Sequence, residues 1–133
     1  MKLNEFFDAG HWSELQAQLG EKNQLSTNTH EAVQAYVEEA DNALRKIVIA
    51  YIFAEINSAS PRNYFALAER KQDGSTEQEA MLGIAHRKLA KLQQILHLLQ
   101  NLSNAQTVFA EMSPMQKTAF ENAENEAEKY SNR

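Results

Sequence analysis

Four histidines, His11, His30, His86 and His97, are the side chains best suited by type to metal binding or acid–base work. Their spacing weighs against it. His86 and His97 stand eleven residues apart, on one helix face but about 16 Å from each other along the axis, too far to share an ion. Asp8 and His11 place a carboxylate and an imidazole three residues apart, yet the Glu-x-x-His pairs of di-iron bundles do not occur. His30-Glu31 lacks the second histidine of a zincin helix. The expectation is four exposed or boundary histidines, with no metal ligands and no cofactor.

Nucleophiles are equally scarce. Cysteine is absent, which removes thiolate catalysis, disulfides and cysteine-based metal sites. No serine sits in a glycine elbow and no glycine cluster could cradle phosphate. Ser60, Ser75 and Ser113 are better explained as helix caps. Glu38, Glu39 and Asp41 are paired in sequence, but neighbours on a helix diverge by about 100°, so a solvated acidic face is expected. No catalytic residue is assigned, and the chain is not expected to be an enzyme.

Two features remain for a binding role. Arg62, Arg70, Lys71, Arg87, Lys88 and Lys91 form a basic cluster near Tyr64 and Phe65. They would gather into one patch if the helix around residue 65 packs beside the helix around residue 87. Glu69, Asp73, Glu77 and Glu79 interleave with them, which favours surface ion pairing. The net charge of −5 argues against nucleic acid. The second feature is the run Ile47 to Ile56, apolar nearly all round. Ile49 and Phe53 lie off its main stripe, either enclosed by neighbouring helices or offered to a partner or a second copy.

These residues need elements to hold them, and the composition points to helices. The chain of 133 residues suits one domain, 1–133, with 43% hydrophobic and 23% charged residues. Only 4 Gly and 2 Pro leave few turns, and Ala, Leu, Glu, Gln and Lys favour long helices. A first segment, Leu3 to Leu19, should be helical, interrupted near Gly10 and ended by Gly20 in a left-handed C′ position. A second should start at a cap on Asn28 or Thr29, with Val33, Val37, Ala40, Leu44, Ile47 and Tyr51 as its stripe. Continuous to Asn57 it would span about 40 Å, so a break or bend is open. Ser60-Pro61 starts a short helix ending near Asp73-Gly74. Ser75 caps a long helix with a Leu82, Ala85, Leu89, Leu92, Leu96, Leu99 seam. A turn of helix from Ala105 to Met112 follows. Ser113-Pro114 then opens an acidic last helix, expected over 112–133, whose thin Phe120, Ala123, Ala127, Tyr130 stripe should pack loosely.

The fold expected is all-α: a single-domain bundle of about five to six helices, two of them long and antiparallel. The start of the sequence carries acids where a signal peptide has its apolar core, and no run reaches the roughly 20 residues of a membrane span. A bacterial-type cytoplasmic location is expected, with no membrane partner. The leading functional expectation is a small acidic, non-catalytic interaction protein of inhibitor, immunity or adaptor type. Its partner-facing residues would be Ile49, Phe53, Arg62, Arg70, Lys71, Arg87, Lys88 and Lys91. One alternative is a virion assembly protein, since the order of elements is faintly similar to small helical head–tail adaptor proteins of tailed phages, a likeness no motif carries. Another is a metal-dependent helical-bundle enzyme using His11 or His86.

Overall fold

The computed structural model describes residues 1–20, 25–71 and 74–131, without the side chain of Lys71. Within them are eight α-helices and no strand: α1 (Leu3–Asp8), α2 (His11–Gly20), α3 (Thr27–Glu39), α4 (Asn42–Ser58), α5 (Arg62–Lys71), α6 (Thr76–Gln100), α7 (Ala105–Glu111) and α8 (Pro114–Ser131). No helix among the described residues is long and apolar enough to cross a membrane.

The count exceeds five to six because two expected helices are divided. The first breaks at Gly10, whose φ of +77° is a left-handed conformation that glycine adopts without penalty. Gly20, expected to be left-handed, is instead the last residue of α2, and an added Cβ there would meet the Tyr51 hydroxyl at 3.4 Å. The second breaks at Ala40-Asp41, where both residues are extended and Asp41 accepts from the Leu44 amide to cap α4. The exposed backbone groups at this corner are met from the chain start. The Met1 amino group donates to the Glu39 carbonyl, and the Asp41 amide donates to the Met1 carbonyl at 2.8 Å. Arg45 adds a bond to the Ala40 carbonyl at 2.9 Å and pairs in fork geometry with Glu111 at 2.7 Å on both nitrogens.

That corner reverses the chain, which sets the topology around the 25-residue α6. Along α3 the partners on and just beyond α6 advance together: Leu25 with Gln94, His30 with His97, Gln34 with Asn101. The two helices therefore run parallel. Along α4 they run oppositely, Glu55 meeting Lys91 and the Ser58 carbonyl meeting Lys88. Helices α5 and α8 are also antiparallel to α6: Ala68 with Gln78, Phe65 with His86, Glu124 with Gln100. The expected antiparallel pairing holds for α4 and is inverted for α3.

The core follows the leucine seam. Ala85, Leu89, Leu92, Leu96 and Leu99 are buried, joined by Ile95 and Leu98. Each buried leucine or isoleucine among them contributes about 1.5–3 kcal/mol by leaving water. Helix α8 packs more firmly than its thin stripe suggested. Phe120, Ala123, Ala127 and Tyr130 are all buried, and the Tyr130 ring stacks on Phe65 at 4.5 Å.

Caps follow the sequence signals with two exceptions. Ser75 and Ser113 accept from Gln78 and Gln116 amides, whose own side chains accept from the Gly74 and Ser113 amides. Helix α3 is capped by Ser26, two to three residues earlier than the expected Asn28 or Thr29, and Ser26 accepts from the Thr29 amide. Ser60 caps nothing through its own oxygen. Its hydroxyl donates to Glu126 at 2.6 Å, and that carboxylate also accepts from the Arg62 amide at 3.0 Å. A glutamate from α8 thus caps α5, where the helix dipole favours negative charge.

Candidate functional site

The apolar excess of α4 is core. Ile49 and Phe53 are each 5% exposed, and Phe53 meets the edge of Phe120 on α8 at 6.5 Å. Helix α8 covers Phe53 through Phe120, while Ile49 is buried beside a cavity of about 270 Å³ that Arg45, Glu111 and Gln116 also line. Ile47, one turn before Tyr51, is exposed, as are Ala50 and Ala54 of the same run.

The basic cluster divides in the same way. Helices α5 and α6 do pack side by side, and Arg62, Arg70 and Arg87 are exposed. Lys88 is half-buried: its Nζ donates to the Ser58 carbonyl at 2.9 Å and lies 5.4 Å from the Tyr64 ring centre. Lys91 is only 8% exposed and faces Glu55 at 3.5 Å, a charge committed to the interior. The side chain of Lys71 lies outside the described residues. Among the described side chains of the cluster, the three arginines are the exposed ones.

The histidines meet partners that their sequence positions did not suggest. His86 packs edge-on to Phe65 at 5.2 Å. His11 is separated from Asp8 by the break at Gly10, and its carboxylate neighbour is Glu14, one turn along α2 at 3.5 Å. The Tyr36 hydroxyl from α3 donates to Glu14 at 2.6 Å and lies 3.3 Å from His11 Nδ1. That hydrogen bond holds the Glu14 carboxyl below its ordinary range, while burial and the same carboxylate push the Tyr36 phenol up. A phenol so raised is a donor at neutral pH and no nucleophile. The trio ties α2 to α3, inside a group of rings that includes Phe6 and Trp12.

His30 and His97 come together across α3 and α6, with ring centres 5.8 Å apart and planes inclined by 38°. They line an open trough of about 690 Å³ with Thr27, Glu31, Gln93 and Gln94. Its end is built by Gln94, whose carboxamide accepts from the Leu25 amide at 2.7 Å and donates to the Leu25 carbonyl at 3.0 Å. A side chain here satisfies one residue's backbone as a neighbouring strand would. Burial first, and the adjacent His97 second, hold His30 below the ordinary histidine range. Its Nε2 is buried without a hydrogen-bond partner among the described residues. His97 Nδ1 accepts from the Asn101 carboxamide at 3.1 Å. Among the described residues, no three His, Cys, Asp or Glu side chains converge as a metal-binding group.

No family model, curated protein or solved structure matches the chain. The trough was missed by sequence reasoning because its two imidazoles lie 67 positions apart and on parallel helices. The His11–Glu14 pair was missed too, the sequence having suggested Asp8 as the partner of His11, although residues three apart on one helix are neighbours.

Proposed function

We propose that the chain is a non-catalytic interaction protein of inhibitor, immunity or adaptor type, acting in a cytoplasm. Its partner surface is placed at the trough between α3 and α6. One observation carries the reading: a concavity of about 690 Å³ lies open between two helices and is rimmed by exposed Glu31 and Gln93, above a framework already tied by Gln94 and Leu25. Such a surface offers hydrogen-bond donors and acceptors on a preorganised base, which suits an extended segment of another protein. The absence of cysteine and the acidic balance accord with this setting.

The test is a photo-crosslinking amino acid placed at Gln93, compared with the same probe at exposed Lys117 on α8. In extract from the native cell, Gln93 should give one discrete adduct that Lys117 does not. Equal labelling from both positions removes the trough from the proposal. A ring-sized particle by light scattering, with no adduct, would transfer the reading to virion assembly.

A further inference from the structure

We infer that His30 and His97 form a two-imidazole site for a late first-row divalent cation, with Zn²⁺ as the reference ion. Imidazole nitrogen is a preferred donor for zinc, copper and nickel. At a metal–nitrogen distance of about 2.0–2.1 Å, an ion lies roughly 3.2 Å from each ring centre, and a tetrahedral angle sets the centres about 5 Å apart. The observed separation is 5.8 Å, within about an ångström of that spacing.

Three further features support the assignment. His30 Nε2 is a buried polar atom with no partner among the described residues, a situation that native structures usually resolve with water or an ion. The pair opens onto a trough of about 690 Å³, which has room for the waters that must complete the coordination shell. Glu31 lines that trough and adds negative charge beside the cation. No third protein ligand converges among the described residues, so the site is an open one rather than a closed structural centre.

On the α6 side, Asn101 occupies His97 Nδ1, which leaves Nε2 as the ligating nitrogen. Ligation there places the ring proton on Nδ1, and the Asn101 carboxamide must turn its oxygen toward the ring to receive it. The ion joins α3 to α6 and should stabilise the folded chain by mass action.

The inference stands apart from the partner reading, because it is tested on the purified full chain with zinc alone. Titration with ZnCl₂, followed by calorimetry and thermal melting, should show saturable uptake and a rise in Tm. His30→Ala and His97→Ala should each lose both, while His86→Gln keeps them. If His30→Ala does not fold, His97→Gln on an exposed α6 position provides the same test. Imidazole nitrogen NMR should show zinc moving the Nε2 resonances of His30 and His97. The proposal is overturned if wild-type Tm does not respond to zinc, or if the response persists when both histidines are replaced.

Discussion

Helix α6 presents two unlike faces. Toward α5 and α8 it closes over rings and leucines: His86 on the edge of Phe65, Phe65 stacked on Tyr130, and Leu89 and Leu92 beneath. Toward α3 it makes fewer close approaches, and polar groups bridge the two: Gln94 to the Leu25 backbone, His97 beside His30, and Asn101 accepting from Gln34 through its carbonyl. The first face removes apolar area from water and dominates stability. The second places specific hydrogen bonds around an open trough and contributes less. One helix can serve both ends because its leucine seam leaves Gln93, Gln94 and His97 on the flank of the core.

Substitutions can separate the two faces. Phe65→Ala removes a fully buried ring and should cost about 3–5 kcal/mol in urea unfolding. Gln94→Ala leaves both Leu25 backbone groups without their partner and should cost about 1–3 kcal/mol; a loss equal to that of Phe65→Ala would break the comparison. Ser26→Ala deletes the cap of α3 and should cost about 1 kcal/mol, read in the same way.

The smallest effect is the most diagnostic of the α3 side. His30 is held below its ordinary value of 6.5, so the folded state favours the neutral ring. The unfolded chain then binds the proton more readily, and this contribution is complete above pH 6.5 and lost as the pH falls through and below it. Wild-type stability should therefore decline on the acid side of that value more than that of His30→Met, measured as paired urea midpoints. Parallel pH curves for the two proteins would show that His30 does not sense the trough.

Local signals were read well where they concern neighbours in sequence. Ser75 with Gln78, Ser113 with Gln116 and the Leu82-to-Leu99 seam each act within one helix, over distances that residue type controls. The division at Ala40-Asp41 was less visible. Ala40 fits the stripe that continues into α4, and what turns the chain there is Asp41 capping, with Met1 meeting the corner from far along the chain and Arg45 from the first turn of α4. Phe53 shows the same limit in reverse: an apolar side chain off the stripe reads alike for core and interface until Phe120 covers it.

An all-helical class, most helix ends and the leucine-lined interior of α6 follow from composition, capping residues and periodicity, because those forces act over one or two turns. Chain reversal at the α3–α4 corner, the interior fate of Lys91 and the meeting of His30 with His97 belong to the tertiary structure. Each depends on which helices lie side by side, and packing between residues dozens of positions apart leaves no local pattern to read.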